Sequence, residues 1–146
     1  MKLETTITIE RPVDEVLAYV TVVENTTQWT ESTVEAVQTS EGPIGAGSTC
    51  RIVSQAMGKR FTHEFEVTDF QPGKRYAVQS TDGPFPISMT YTVEVVEGGT
   101  RLRVVSEADL GGLMSIAGAL ISGAAQKQME TDHRNLKRVL ESSTGG

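Results

Sequence analysis

The sequence has few of the residues from which disulfides, metal sites and redox centres are built. Its 146 residues include one cysteine, Cys50, and two histidines, His63 and His133. A single cysteine excludes an internal disulfide, which fits a reducing compartment, so we expect a cytoplasmic protein. With so few nitrogen and sulfur ligands and no coenzyme motif, we expect neither a metal nor a cofactor.

Basic charge and long apolar runs are also scarce. The chain carries 13 Lys and Arg against 19 Asp and Glu, a formal net charge of −6. Nucleic acids and anionic membranes attract basic patches, so neither is expected as the main partner. The apolar run over residues 113–125 is shorter than the roughly 20 residues of a bilayer span. The first ten residues also lack the pattern of a signal peptide, and we expect no membrane insertion.

What the chain does contain is a regular succession of strand patterns followed by one long helix. Its length suits a single domain, which we place at residues 1–141, with 142–146 (SSTGG) as a flexible tail. Alternation of apolar and polar residues predicts strands at 3–10, 34–39, 49–56, 60–70, 75–81, 87–96 and 100–110. Two short helices are predicted at 13–20 and 23–29, and a long one at 113–140. The short links between strands predict an antiparallel sheet.

The same alternation predicts which side chains point towards the helix. The inward set contains the apolar or aromatic residues Ile52, Phe61, Phe65, Tyr76, Val78, Met89 and Tyr91, together with the polar residues Ser54, His63, Ser80 and Ser106. Because one helix cannot cover the concave face of seven strands, part of that face is free to line a cavity.

The long helix has two apolar stripes. One includes Ile121, Met129 and Leu136; the second, in the N-terminal half only, consists of Leu113, Ile116, Ala117, Leu120 and Ala124. We interpret the C-terminal half as the anchor on the sheet and the Gly/Ala-rich N-terminal half as the roof of the cavity. Ligand contacts are therefore expected at Leu113, Ala117, Leu120, Ile121 and Ala124. Dense Gly/Ala packing without a ligand is the alternative.

Two polar residues near the anchoring stripe are given no functional role. Asp132 interrupts the stripe, and a charge there is expected to be paired or turned towards water, away from the cavity. His133 lies at the edge of the stripe and is expected on the surface, partly exposed.

Several segments resemble a known superfamily over nearly the whole chain. They are ITIERPVDEVLAYVTVVENTTQW, EGPIGAGSTCRI, QPGKRY, YTVEVVEGGTRLRV and the terminal helix. The sequence is similar to the SRPBCC superfamily of START-related, helix-grip proteins, and most similar to its polyketide cyclase/dehydrase-like branch. The resemblance implies an α+β helix-grip fold, in which a seven-stranded antiparallel sheet curves around a long C-terminal helix, with two short helices between strands 1 and 2. It also implies a deep apolar cavity. Members bind lipids, sterols, polyketides or plant hormones, and some catalyse cyclisation, aromatisation or dehydration.

Our preferred hypothesis is a protein that binds a hydrophobic, partly oxygenated small molecule, polyketide-like or lipid-like, between sheet and helix. Trp29 and Phe85 are expected at the cavity mouth, and the inward residues listed above along its wall. The second hypothesis is a cyclase, aromatase or dehydratase with His63 as acid/base and Tyr76 and Tyr91 positioning carbonyls. The alternative is a structural role, in which the ring of His63 forms a hydrogen bond with a backbone group, Ser54 or Tyr76 and takes no part in catalysis. Alternation supplies no second titratable group beside it.

The third hypothesis is a dimerising accessory protein whose bare helix half lies in an interface, so the chain is either a monomer or a homodimer.

Overall fold

The predicted helix-grip architecture is confirmed. The computed structural model describes residues 1–56, 58–111 and 113–142, except for the side chains of 113–117 and 119. The strands are β1 (Lys2–Ile9), β2 (Thr33–Gln38), β3 (Thr49–Ala56), β4 (Lys59–Gln71), β5 (Arg75–Asp82), β6 (Ile87–Val96) and β7 (Gly99–Ala108). The α-helices are α1 (Val13–Thr21), α2 (Thr26–Trp29) and α3 (Leu113–Ser142), with a 3₁₀ turn at Val23–Asn25.

The strand ends lie within two residues of the predicted ones, and two further differences concern the helices. The second short helix is split into the 3₁₀ turn and α2, because Asn25, Thr26 and Thr27 are poor helix formers. The long helix continues to Ser142, so the first residue of the predicted tail is helical. The rest of that tail, 143–146, lies outside the described residues.

The strands form one antiparallel sheet in the order β1-β7-β6-β5-β4-β3-β2. Successive strands from β2 to β7 are neighbours, as hairpin links require, and β1 pairs with β7 along its whole length. The register between β4 and β5 shifts at two places along β4, between Glu64 and Phe65 and again between Val67 and Asp69. Such irregularities bend a strand and increase its twist, which curves the sheet around α3.

The C-terminal part of α3 is fixed to the sheet by both packing and polar contacts. Met129, Leu136 and Leu140 are buried in the core. Arg11, just after β1, donates from Nε to the carbonyl of Leu140 at 3.0 Å, which satisfies one of the free carbonyls at the helix end. Lys137 Nζ donates to the carbonyl of Thr8 at 2.8 Å. These contacts determine which face of α3 meets the concave side of the sheet.

Within the described part of the chain, none of the helices combines the length and the apolar character needed to cross a membrane.

Candidate functional site

A cavity of about 330 Å³ lies between the concave face of the sheet, α2 and α3. Its volume is at the lower end of the roughly 300–1,000 Å³ typical of small-molecule sites. The wall contains these residues from the predicted site: Trp29, Ile52, Ser54, Phe61, His63, Phe65, Tyr76, Val78, Phe85, Met89, Tyr91 and Ser106. Side-chain alternation along the strands was therefore sufficient to locate most of the sheet side of this cavity.

Four predicted contacts are absent from the wall formed by the described residues. Ser80 lies near the end of β5, where its hydroxyl accepts a hydrogen bond from the backbone N–H of Ile87 at 2.9 Å. Leu120 is 80% exposed and Ala124 is exposed, while Ile121 is partly buried outside the wall. The predicted contacts Leu113 and Ala117 have side chains outside the described residues.

The helical side of the cavity corrects our interpretation of α3. Among the described residues of the helix, the wall is formed by Ala125, Gln128, Met129, Asp132 and His133. All but Ala125 lie beyond the Gly/Ala-rich half that was predicted as the roof. Ala125, Met129 and Asp132 belong to the stripe that also carries Leu136. A single stripe thus both anchors the helix and lines the cavity, whereas Leu120 and Ala124, on the second stripe, face away from it.

His63, the predicted acid/base, is enclosed by aromatic rings and backbone. It is 5% exposed, and its ring centroid is 4.8 Å from that of Phe85 and 5.7 Å from that of Phe65. Its Nε2 lies 3.0 Å from the carbonyl oxygen of Phe85. Because a carbonyl only accepts, Nε2 carries the proton and donates. The alternative prediction for His63, a hydrogen bond to a backbone group, therefore holds for Nε2.

The backbone of Gly83 packs closely against the His63 ring. A Cβ at this position would lie 2.4 Å from His63 Cδ2, closer than any side chain allows, and the φ of Gly83 is +147°. Both the left-handed backbone and the ring contact require glycine. The loop after β5 therefore holds His63 in one orientation.

His133 is the residue that departs furthest from expectation. It is 3% exposed and lies in the cavity wall, not on the surface. Its Nδ1 is 2.7 Å from the carbonyl oxygen of Met129, one helical turn earlier, so Nδ1 is the protonated nitrogen. Burial lowers the pKa of His133, and the Met129 carbonyl opposes that shift only in part. The side chain is a neutral imidazole with a free acceptor at Nε2.

Asp132 also lies in the cavity wall, contrary to the expectation that it is remote from it. It is 8% exposed, and its Oδ1 accepts hydrogen bonds from Gln128 Nε2 at 2.8 Å and from the Glu31 N–H at 3.1 Å. Burial raises the pKa of this carboxyl, and the two hydrogen bonds offset part of the shift. Its expected pairing is thus supplied by amide groups and not by a cation.

The remaining polar groups of the wall are neutral at physiological pH. Burial raises the pKa of Tyr76 and of Tyr91 far above the usual phenol range. It raises the pKa of the Cys50 thiol to about 11, mainly by desolvation. Among the described residues, no cluster of three His, Cys, Asp or Glu side chains could hold a metal ion. The wall is therefore apolar, with a few hydroxyls, two imidazoles and one carboxyl.

A family model described as "Polyketide cyclase / dehydrase and lipid transport" matches residues 1–141. The chain belongs to this family. Among curated proteins no match was found. The description of the family covers both polyketide enzymes and lipid transport.

Solved structures share the fold over nearly the full chain. A protein from Thermus thermophilus is 18% identical, with 99% of each chain covered and a TM-score of 0.86. A START superfamily protein from Mycobacterium smegmatis is 16% identical, with coverage of 98% and 99% and a TM-score of 0.81. The Zhui aromatase/cyclase from a Streptomyces species is 16% identical, with coverage of 100% and 98% and a TM-score of 0.77. At these identities the likeness shows the fold alone.

Sequence reasoning missed Asp132 and His133 as cavity residues. The signal for Asp132 was present, since it is the charged residue on an otherwise apolar stripe. His133, one position further, carried a weaker signal because the edge of a stripe is exposed on most helices.

Proposed function

We propose that the protein binds a hydrophobic, partly oxygenated small molecule, polyketide-like or lipid-like, in the cavity between the sheet and α3. The observation that carries the proposal is the cavity itself, which has a volume of about 330 Å³ and is lined by aromatic and aliphatic side chains with a few polar groups among them. A plain core closes such a space, because lining atoms without neighbours lose dispersion energy. Membership of a family that includes lipid transport supports the same conclusion.

The polar groups of the wall suit a ligand with a small number of oxygen atoms. Ser54 and Ser106 come from β3 and β7, on opposite parts of the sheet, and Gln128 comes from α3. Each can exchange one or two hydrogen bonds with a ligand hydroxyl or carbonyl. The aromatic rings at Trp29 and Phe85 would contact the apolar body of the ligand.

Native mass spectrometry of the protein purified from its own host tests the proposal. We expect an adduct that survives gentle ionisation and is lost on denaturation. Ile52→Phe, which adds volume inside the cavity, should reduce the bound fraction. Val53→Phe is the matched control, because Val53 is next in the same strand and lies outside the described wall. No adduct in the wild type, or an equal loss in both variants, would contradict binding in this cavity.

A second candidate is cyclase, aromatase or dehydratase chemistry with His63 as acid/base and Tyr76 and Tyr91 as positioning groups. The observation that favours it is that Asp132 and His133 lie in the same cavity wall as His63, so further titratable groups are available there. Turnover of a poly-β-ketone substrate should be abolished by His63→Ala, while binding is only weakened. Unchanged turnover would remove His63 from the mechanism.

The single cysteine, Cys50, is buried. A free thiol fits the reducing cytoplasm, and we include that location in the proposal.

A further inference from the structure

His133 Nε2 is a buried acceptor whose partner is missing. Among the buried side-chain nitrogen and oxygen atoms of the described residues, it is the one that makes no hydrogen bond. Such an atom destabilises the folded state for as long as it stays unsatisfied, and native proteins rarely leave one so. A partner that arrives with a ligand would remove this cost.

The direction from which a partner can come is limited. Trp29, on α2, lies with its ring centroid 5.1 Å from that of His133, and Tyr91, on β6, lies at 6.4 Å. Nδ1 is occupied by the Met129 carbonyl. All three residues, His133, Trp29 and Tyr91, line the cavity, so a ligand in the cavity lies against this cluster. Because Nε2 is closed to water, a ligand atom reaches it only with a small shift of the adjacent rings.

We propose that His133 Nε2 accepts a hydrogen bond from a hydroxyl group of the cavity ligand, so that the protein selects phenols or alcohols over ligands whose oxygen atoms only accept. This rests on the proposed binding function and narrows its ligand class. A ketone, ester or ether oxygen would face the Nε2 lone pair with no proton between them. A carboxylate would in addition lie near the buried Asp132 carboxyl.

The tautomer of His133 fixes Nε2 as a hydrogen-bond acceptor. Since the Nδ1 proton is held by the Met129 carbonyl, the neutral ring cannot turn Nε2 into a donor by moving its proton. Burial lowers the pKa of the imidazole and so keeps the ring neutral at physiological pH. The site therefore recognises a donor, and a matched acceptor-only ligand leaves the same atom unpaired.

Binding of 2-naphthol and of 2-methoxynaphthalene, measured by isothermal titration calorimetry, tests the proposal. The two probes share the aromatic body, and only the first can donate. We expect the wild type to favour 2-naphthol by about 10-fold, the value of one neutral hydrogen bond. His133→Phe should lose that preference by weakening 2-naphthol alone. Val53→Phe, which changes a residue outside the described cavity wall, should keep it.

Three results would overturn the assignment: equal affinities in the wild type, a preference that survives in His133→Phe, or an equal loss of preference in Val53→Phe. A preference that survives in His133→Phe and is lost in His63→Phe would move the role to His63. Failure of both probes to bind the wild type would instead reject binding in the cavity, and the assignment would fall with it.

Nitrogen-15 spectra of the histidine side chains in the wild type keep the test independent of whether His133→Phe folds. We expect the Nε2 resonance of His133 to move upfield when 2-naphthol is added and to respond less to 2-methoxynaphthalene. An Nε2 resonance equally insensitive to both probes at saturation would contradict the proposal.

Discussion

The two halves of α3 have similar apolar content in their stripes but opposite surroundings. In the N-terminal half, Leu120 is 80% exposed, whereas in the C-terminal half Leu136 is 0% exposed. The polar residues follow the same division, since Asp132 and His133 are buried beside Met129. Burial along this helix is therefore decided by the position of a residue relative to the sheet and not by its hydrophobicity.

This difference has a physical cause in the way the helix is held. Arg11 and Lys137 fasten the C-terminal end to the segment around β1, and Leu136 and Leu140 pack into the core. Over this half one stripe packs against the sheet, and its residues Met129, Asp132, Leu136 and Leu140 are buried, a carboxyl among them. In the N-terminal half, the described side chains of the second stripe, Leu120 and Ala124, are exposed.

The largest effect is expected from Leu136→Ala. Removing a fully buried leucine side chain from the anchoring half should lower the free energy of unfolding by about 2–5 kcal/mol. Urea unfolding followed by circular dichroism measures it. Leu120→Ala, the same change in the other half, should cost less than about 0.5 kcal/mol. Similar losses for both variants would contradict the contrast between the two halves.

His133→Phe should change how stability depends on pH. The folded protein holds the pKa of His133 below its ordinary value of 6.5, so acidification protonates the unfolded chain first. Wild-type stability is then lost as pH falls from 6.5 towards the lowered pKa, by at most about 1.4 kcal/mol per pH unit.

His133→Phe has no titratable group at this position, so its free energy of unfolding should not show this decrease. Tyr91 stays neutral over this range, and Asp132 is present in both proteins, so the difference between them isolates His133. The free energy of unfolding at about pH 7.5 and about pH 5.5, on either side of the ordinary histidine pKa, gives the comparison. Identical pH dependence in the two proteins would show that His133 is not buried as a neutral ring.

Asp132→Asn should stabilise the protein at neutral pH by on the order of 1 kcal/mol. The raised pKa means that the folded protein disfavours the carboxylate, so the cost is present above that pKa. Asparagine keeps an oxygen to accept from Gln128 and Glu31 without the charge. The gain should disappear as pH falls to the ordinary aspartate value of 3.8 and below, where both proteins become neutral at this position. A destabilised variant at neutral pH would mean that the charge has a partner.

The smallest effect on stability is expected from Leu120→Gln, which tests the exposed half. Because Leu120 is 80% exposed, the free energy of unfolding should stay within about 0.5 kcal/mol of the wild type. If this half forms a dimer interface, sedimentation velocity should show a dimer in the wild type and a monomer in the variant. A wild type that sediments as a monomer at every concentration contradicts the dimer hypothesis.

The sheet side of the cavity was predictable because strand alternation is strict. His63, Phe61 and Phe65 occupy alternate positions on β4, and all three line the cavity. Ser80 has the inward parity but lies near the end of β5, where its hydroxyl bonds to the backbone of β6. Parity thus gives the face of a residue, while its position along the strand decides whether it reaches the cavity.

The helix side was not predictable in the same way. A helical stripe is identified from its apolar residues. Asp132 lies on such a stripe, but its charge argues against burial, and His133 lies only at the edge of the stripe. Their burial depends on Gln128, the Glu31 backbone and the Met129 carbonyl, which supply the hydrogen bonds. Of these, the Glu31 backbone comes from a segment 101 residues away in the chain. No local pattern contains that information.

By itself, the sequence determined the order of elements, the antiparallel sheet, the inward faces of its strands and the presence of one long helix, because periodicity and turn residues act locally. Only the tertiary structure decided which described helix residues line the cavity and that Nε2 of His133 is a buried acceptor without a partner. Those outcomes depend on how the curved sheet and the helix meet. The fold brings the Phe85 carbonyl to Nε2 of His63, but it brings no hydrogen-bond partner to Nε2 of His133.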